Sequence, residues 1–181
     1  MRHIKILVYG QCGDHNVQFI ERYINDKYTE VYDRSTITVY YKTFRDEQIH
    51  MEISDEILTN ISNFCIDSYF KNYDGIILLY LINNRDSFDC FYRLKDSIKR
   101  FADYKNSSII LCGNLSDRNS ERVISNDEGQ KLASELGCPF FETSPQQNTN
   151  ITESILCIRD LAVSKKYQKI SEPENRGCCS I

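Results

Sequence analysis

The sequence predicts an α/β fold, with a doubly wound, mostly parallel sheet of six strands and helices on both of its faces. Apolar runs of strand length alternate with stretches of helical period, which is the pattern of a parallel sheet with crossover helices. Residues 75–82 form the longest apolar run, as expected of a central strand that is buried on both faces. Two other runs are separated only by the polar residues 45–48, which predicts a hairpin and hence one antiparallel edge strand.

The strands are expected at six apolar runs, and three of the helical stretches show an inward face. The strands are predicted at residues 4–9, 37–44, 49–54, 75–82, 108–112 and 139–142. In the first helix, Ile20, Tyr23 and Ile24 share one face. After Arg85 an amphipathic stripe recurs every three or four positions, at Phe88, Phe91, Leu94, Ile98 and Phe101. The last helix is expected over residues 150–166, with the inward residues Ile151, Ile155, Ile158 and Ala162.

The composition is that of one globular domain followed by a short tail. Of the 181 residues, 41% are hydrophobic and 27% are charged, which is ordinary for a folded domain of this length. The apolar periodicity stops after Lys166, so we expect a domain over residues 1–166 and a flexible polar tail over residues 167–181. The net charge of −4, without a dominant basic patch, argues against nucleic acid as a partner. We expect a monomer.

The cysteine pattern predicts a reduced, cytosolic protein. The eight cysteines are scattered through predicted strands and helices, without a C-x-x-C pair, and the three histidines lie far apart in the sequence. Cys112 falls in an apolar run, where cysteine behaves as a small buried hydrophobe. The apolar run at the N-terminus is too short for a signal peptide, and no run approaches the roughly 20 residues that span a bilayer.

The first strand leads into a loop that has the frame of a phosphate-binding loop but lacks its working residues. The P-loop pattern is G-x-x-x-x-G-K-[S/T] between a strand and a helix. Gly10 stands at the first glycine, whereas His15, Asn16 and Val17 replace the second glycine, the lysine and the hydroxyl residue. Backbone contacts to phosphate are expected from Gly10, Gly13, Asp14, His15, Asn16 and Val17. Alternatively, the loop is only a strand–helix connection.

Several segments, in matching order and spacing, resemble small GTPases of the Rab family. Residues 28–30 and 35–42 are similar to the switch I stretch S-T-I-G-V-D-F-K, and residues 74–88 resemble the fourth strand and the start of the next helix. Residues 135–144 are similar to the segment before the last helix, and the similarity covers roughly residues 4–163. The resemblance implies the P-loop small GTPase fold, GTP or GDP and Mg²⁺ as ligands, and a role in vesicle traffic.

The resemblance also implies a metal site, which this chain keeps only in part. Thr36 matches the switch I threonine that coordinates Mg²⁺ and senses the γ-phosphate, and Asp55 matches the aspartate that supports the same metal. Leu58 and Thr59 replace the pivoting glycine and the glutamine that orients the attacking water. Because Val17 offers no oxygen to Mg²⁺, we expect weak metal binding. Alternatively, Thr36 and Asp55 are an ordinary strand threonine and a turn residue.

The base-recognition motif G-N-K-x-D of the family is matched at residues 113–117. Asn114 would support the loop, and Asp117 would accept hydrogen bonds from the guanine edge. Leu115 replaces the lysine whose stem stacks on the base, although an apolar side chain could cover the same face. The later S-A-K motif corresponds to Ser144, Pro145 and Gln146. Proline there removes a backbone N–H that could reach the guanine carbonyl, and Asn-x-x-Asp is also a common turn pattern.

The chain ends in a cysteine pair that resembles a Rab double-geranylgeranylation signal. Cys178 and Cys179 are followed by two residues and preceded by a polar linker. As a C-a-a-X signal only Cys178 would be modified, but isoleucine is not a common final residue. Two prenyl chains give stable membrane binding where one is marginal. The basic residues Lys165, Lys166, Lys169 and Arg176 would add attraction to anionic lipid.

Together these features predict a divergent Rab-like protein on the cytoplasmic face of intracellular membranes, with a soluble cytosolic pool. Effector and escort proteins would bind through the switch regions. GTP, GDP and Mg²⁺ would bind weakly, hydrolysis would be slow or absent, and no catalytic residue is assigned. One alternative is a working GTPase with a rearranged site, in which Lys5, Lys42 or a partner's arginine supplies the missing charge. Another is a nucleotide-free interaction module on the same fold.

Overall fold

A computed structural model describes residues 1–29, 39–57, 70–105 and 108–168 of the chain. Its strands are β1 (Arg2–Gly10), β2 (Val39–Phe44), β3 (Ile49–Ile57), β4 (Gly75–Leu81), β5 (Ser108–Asn114) and β6 (Phe140–Thr143). Its α-helices are α1 (His15–Asn25), α2 (Arg85–Lys105), α3 (Asn126–Leu136) and α4 (Ile151–Gln168), and a short 3₁₀ turn spans Asn119–Glu121. The strands form one sheet in the order β2-β3-β1-β4-β5-β6.

The sheet is parallel except at one edge, as the sequence predicts. β1 pairs in parallel with β3 and β4, and β5 pairs in parallel with β4 and β6. β2 is the antiparallel edge strand, and it pairs with β3 from Val39↔Ser54 to Phe44↔Ile49. The turn between them covers residues 45–48, so the predicted hairpin is confirmed. The predicted start of β2 at Ile37 lies outside the described residues.

Helices cover both faces of the sheet, because alternate residues of each strand point to opposite sides. Ile6 of β1 lies with Ile158 of α4 around Gly75. Tyr9, three positions later and therefore on the other face, packs against Phe91 of α2 with ring centroids 6.3 Å apart. All seven residues of β4 and of β5 are buried, which explains why these strands are apolar on both faces. The predicted doubly wound architecture is therefore confirmed.

The inward faces predicted for α2 and α4 form much of the core. The five apolar residues of the α2 stripe are buried, with exposed fractions of 7% or less. The four inward residues of α4 are exposed by 1% or less. In α1 Ile20 is fully buried, whereas Tyr23 and Ile24 are half-buried at the edge of the core. Hydrophobic periodicity therefore located these helices correctly, since each buries the stripe that the sequence marks.

The sequence analysis did not assign α3 individually, although its boundaries carry strong local signals. Ser125 caps the helix by accepting a hydrogen bond from the Glu128 backbone N–H, and the Glu128 side chain accepts one from the Ser125 N–H. This is a capping box, whose S-x-x-E pattern is visible in the sequence. Gly137 ends the helix with φ of 69°. Arg85 of α2 donates to Glu128 at 2.8 Å, and together with Ser125 it lowers the pKa of that carboxyl to about 2.

The described cysteines are structural. Cys12, Cys90, Cys112, Cys138 and Cys157 form no disulfide bond with one another. Burial raises the pKa of Cys112 well above its ordinary value, and it raises the pKa of Cys138 to about 12. The thiols of Cys112 and Cys138 therefore stay protonated near neutral pH, as expected for cysteines that act as small hydrophobes.

The end of α4 is fixed to the start of β1. Lys166 Nζ donates to the backbone oxygen of His3 and to the Asp74 carboxylate, both at 2.8 Å, and the Tyr167 hydroxyl donates to the same His3 oxygen at 2.9 Å. The described part of α4 therefore ends beside the start of β1. The described part of the chain contains no helix that is long and apolar enough to cross a membrane.

Candidate nucleotide-binding site

The predicted site residues converge at the carboxyl ends of the parallel strands. Gly10 ends β1, and Asp55 lies near the end of β3, where it pairs with Val8. Asn114 ends β5 and pairs with Thr143 at the end of β6. In open α/β sheets this edge is where ligands bind. Thr36, Leu58, Thr59, Cys178 and Cys179 lie outside the described residues, so the structure does not place them.

The strand–loop–helix frame of a phosphate-binding loop is present after β1. The loop turns at Gly13, whose φ is +55°, and α1 begins at His15. Within the turn the His15 N–H donates to the Cys12 oxygen at 3.1 Å, and the thiol of Cys12 donates to the Leu79 oxygen of β4 at 2.9 Å. Asp14 stands at the N-cap of α1. The loop thus brings the N-terminus of a helix to the end of β1, where anions are stabilised in other proteins.

Gly10 is required by packing as well as by the motif. A Cβ atom at this position would lie 2.1 Å from the backbone oxygen of Leu79, whereas a Cβ at Gly13 would meet nothing within 4 Å. We expect Gly10→Ala to lower the free energy of unfolding by about 3 kcal/mol, because backbone must move to relieve the overlap. Gly13→Ala should cost only about 1 kcal/mol, for its left-handed backbone. Urea unfolding of both variants checks this order, and equal losses would contradict it.

The positions of the missing lysine and hydroxyl are filled by buried neutral side chains. Asn16 is completely buried, and Val17 is 8% exposed. His15 is half-buried, and its Nδ1 lies 2.7 Å from the Gln18 side-chain oxygen. The Gln18 amide nitrogen donates to the Thr29 backbone oxygen at 3.1 Å, within the residues 28–30 that resemble the start of switch I. The Gln18 side chain therefore connects the first turn of α1 to the start of that segment.

Neither lysine proposed as a substitute lies at the phosphate loop. Lys5 lies five residues before Gly10 on β1, about 16 Å along the strand, and its ammonium pairs with Glu52 at 3.2 Å. Lys42 pairs with Met51 on β3, and its ammonium lies 5.5 Å from the centre of the Tyr23 ring. Of the cations that the hypothesis named, a partner's arginine therefore remains the candidate.

The described residues fit a Mg²⁺ ion poorly. Asp55 is 6% exposed and places one carboxylate at the end of β3. Val17 has no oxygen in its side chain, and the described ranges hold no cluster of three or more His, Cys, Asp or Glu side chains that could bind a metal. Mg²⁺ requires near-octahedral oxygen coordination, so most ligands would have to come from phosphate, water or residues outside the described ranges.

The base-recognition residues form a connected polar group. The Thr143 hydroxyl donates to the Asn114 side-chain oxygen at 3.2 Å, whereas the buried Asn114 amide nitrogen has no hydrogen-bond partner among the described residues. The Ser144 hydroxyl donates to the Asp117 carboxylate and accepts from the Gln147 N–H at 3.0 Å. An unsatisfied buried donor is costly unless a ligand or water completes it. The fit to a nucleotide base thus rests on Asn114, Asp117 and Ser144.

Leu115, at the position of the family's lysine, does not offer a surface on which a nucleotide base could stack. Leu115 is 3% exposed and belongs to the hydrophobic core, with its backbone at φ of +67°. Its side chain therefore packs against protein and leaves little surface for a base. Pro145 is buried, and Gln146 is exposed. A leucine with positive φ is uncommon, so the lysine position is occupied at some cost in backbone strain.

Sequence reasoning gave no role to Arg22, which connects the two halves of the site. Its guanidinium reaches from α1 to the oxygens of Pro145 and Gln146, at 2.6 and 3.3 Å. The contact joins residues more than 120 positions apart in the sequence. An arginine within an amphipathic helix carries no local signal for such a contact, which depends on how α1 and the loop after β6 are placed in space.

Comparison with known proteins agrees with this geometry. The family model described as "Ras family" matches residues 5–163. The Ras-related protein Rab-3 of Caenorhabditis elegans is 33% identical over 151 residues, which cover 81% of this chain and 68% of the relative. Rab-3C of Mus musculus and of Bos taurus are 30% and 31% identical over 170 residues, which cover 92% of this chain and 74% of each relative. The chain therefore belongs to the Ras family of small GTPases, and its similarity to these relatives places it among the Rab-type members.

Proposed function

We propose that this chain is a divergent Rab-like GTP-binding protein of vesicle trafficking, in which nucleotide binding is weakened and hydrolysis is slow or absent. It acts on the cytoplasmic face of intracellular membranes, held there by geranylgeranyl groups on Cys178 and Cys179, and it keeps a soluble cytosolic pool. One observation carries the proposal. The loop after β1 keeps the frame of a phosphate site, whereas its lysine and hydroxyl positions hold the buried neutral side chains of Asn16 and Val17.

The absence of the P-loop lysine determines how far we expect nucleotide affinity to be reduced. One charged hydrogen bond contributes about 2–3 kcal/mol, which corresponds to roughly 30- to 150-fold in affinity. The backbone N–H groups at the start of α1 remain to bind phosphate, and they carry a partial positive charge. On the base side Asp117 and Asn114 supply an acceptor and an unsatisfied donor. Binding is therefore expected to be reduced and to keep its preference for guanine.

Hydrolysis is expected to be impaired for a separate reason. Ras-type enzymes orient the attacking water with a glutamine, and Thr59 stands at that position in this sequence. Threonine is too short to hold the water in the same place. Mg²⁺ is also expected to bind poorly. The site would therefore neither orient the attacking water nor neutralise the negative charge that develops on the phosphate. A partner's arginine could still accelerate turnover, and turnover detected only with a partner protein would favour the working-GTPase hypothesis.

A nucleotide-free interaction module is the second candidate function. Hydrogen bonds that the site residues make with other residues of the protein favour it. The Ser144 hydroxyl donates to Asp117, and the Gln18 side chain connects the first turn of α1 to the Thr29 backbone oxygen. On this hypothesis the switch region, held by such contacts, would recruit effector and escort proteins to the membrane as a monomer. It predicts that guanine nucleotides leave the melting temperature unchanged, whereas a bound ligand raises it by mass action.

The deciding experiment is to purify the full chain with Mg²⁺ present, denature it, and identify released nucleotide by chromatography. We expect substoichiometric GDP or GTP, together with a rise in melting temperature when millimolar GDP is added. Near-stoichiometric nucleotide with measurable turnover would contradict the weakened site. A protein that is empty and also insensitive to added GDP would replace this proposal with the interaction module.

A further inference from the structure

The Arg22 side chain joins the phosphate-side helix to the loop that carries the base-recognition serine. Its Nε donates to the Pro145 oxygen at 2.6 Å, and its Nη2 donates to the Gln146 oxygen at 3.3 Å. Nη1 donates to both the backbone oxygen and the carboxylate of Asp26, each at 3.1 Å. The Arg22 side chain is only 15% exposed, whereas the Asp26 side chain is 83% exposed. The nearly buried guanidinium therefore contacts both the loop after β6 and Asp26.

We propose that Arg22 is a positioning residue for guanine recognition. It holds the segment Ser144–Pro145–Gln146 against α1, and so fixes the distance between the base-binding carboxylate of Asp117 and the phosphate loop. This inference rests on the proposed function, because it concerns how the same site binds its nucleotide.

The contacts form a continuous path from α1 to the base-binding carboxylate. Arg22 contacts the Pro145 oxygen, Pro145 follows Ser144 directly, and the Ser144 hydroxyl donates to Asp117. The same hydroxyl accepts a hydrogen bond from the Gln147 N–H. Ser144 therefore holds both the turn after β6 and the Asp117 carboxylate. A shift of the Pro145 backbone would therefore be transmitted to the orientation of the Asp117 carboxylate.

Arginine suits this role because its donors are arranged in a fixed planar fork. The fork can bind two neighbouring backbone oxygens and Asp26 at once, whereas lysine is a single point of charge on a flexible stem. The Asp26 pair is largely exposed and contributes little energy by itself. The two bonds to the loop are therefore the important ones, and Asp26 offers a matched control.

Loss of the Arg22 guanidinium should weaken binding of the guanine base more than binding of the phosphates. The phosphate loop is fixed through Gly10, Cys12 and the N-terminus of α1, whereas the side chain of Arg22 donates to Asp26 and to the loop after β6. Arg22 does not contact the nucleotide itself, so we expect its loss to cost less affinity than the loss of a direct charged hydrogen bond, about tenfold. We therefore expect selective loss of guanine affinity and of guanine preference.

The test compares Arg22→Gln and Arg22→Lys with Asp26→Asn, in the full chain. Calorimetric competition measures the affinities for GDP, for IDP, which lacks the exocyclic amino group that Asp117 would accept from, and for inorganic pyrophosphate. We expect Arg22→Gln to weaken GDP about tenfold, to reduce the GDP-over-IDP preference, and to leave pyrophosphate within about twofold. Arg22→Lys should be intermediate, and Asp26→Asn should behave like the native chain. An equal loss for all three ligands, or no loss, would overturn the proposal.

A second measurement does not depend on nucleotide. Amide hydrogen exchange at Gln147, whose N–H is held by Ser144, should be faster in Arg22→Gln than in Asp26→Asn, at a temperature where both variants are folded. If the native chain binds no GDP, the proposed function fails, and exchange at Gln147 then decides only whether Arg22 positions the loop after β6. Unchanged exchange would overturn that role, and faster exchange would support it.

Discussion

Replacing both terminal cysteines, with Cys178→Ser and Cys179→Ser, should move the protein almost completely from the membrane fraction to the soluble fraction. In the proposed function the membrane anchor consists of prenyl groups on these two cysteines, and the double substitution removes both attachment points. Two prenyl chains anchor stably, and the remaining basic residues contribute only about 1 kcal/mol each near an anionic surface. The measurement is fractionation of cells that express N-terminally tagged protein, followed by quantitative blotting.

Single substitutions separate the two ways in which the tail can be modified. If both cysteines carry a prenyl group, Cys178→Ser and Cys179→Ser should each leave one chain and give partial, reversible binding. If the tail acts as a C-a-a-X signal, Cys179→Ser should stay on membranes while Cys178→Ser is fully released. Ser180→Ala is the matched control and should behave like the native chain. A double-serine variant that still sediments with membranes would contradict prenyl anchoring.

The place where α4 ends is consistent with such an anchor. α4 ends beside the start of β1, where Lys166 and Tyr167 contact His3. The candidate nucleotide site lies at the other end of β1, where the strand finishes at Gly10. Seven residue steps along β1 separate His3 from Gly10, or about 23 Å. A membrane bound to the tail would therefore leave the nucleotide edge of the sheet open to partners.

The fold was predictable because buried helices and buried strands each leave a distinct hydrophobic pattern in the sequence. The ends of the strands were not predictable in this way. β5 was expected at residues 108–112 and continues to Asn114, and β3 was expected to end at residue 54 and continues to Ile57. The apolar run stops where the strand enters the site, because polar residues such as Asn114 and Asp55 are needed there. Backbone pairing continues through them, since ladder hydrogen bonds do not depend on the side chain.

The site was predictable only where a motif fixes both residue type and spacing. Asn114, Asp117 and Ser144 fall at the strand ends because the motif positions follow strands that hydrophobicity had already located. The contacts of Arg22 and the burial of Leu115 depend on how α1 and the loops pack, and neither leaves a trace in local sequence. Thus the sequence indicated the candidate site residues, and the structure was needed to show how the described ones are connected.

Asn16→Lys should restore tight guanine nucleotide binding, with GDP affinity raised roughly 30- to 150-fold. The loop frame and the N-terminus of α1 are in place, so the substitution returns one charged donor to a site that already offers backbone N–H groups. Hydrolysis should stay slow, because Thr59 is unchanged. Binding is measured by titration with a fluorescent GDP analogue, and turnover is measured by phosphate release.

Asn16→Met is the matched control, since methionine has a comparable unbranched side chain without the charge. Asn16 is completely buried, so both substitutions test whether the loop admits a longer side chain, and their melting temperatures should fall by similar amounts. Only the lysine should raise the affinity, and added salt should reduce the gain because it screens the new charge. Equal affinities for the two variants would show that the lost charge is not what weakens this site. The geometry around Asn16 and Gln18 would then be responsible, and the interaction-module hypothesis would gain support.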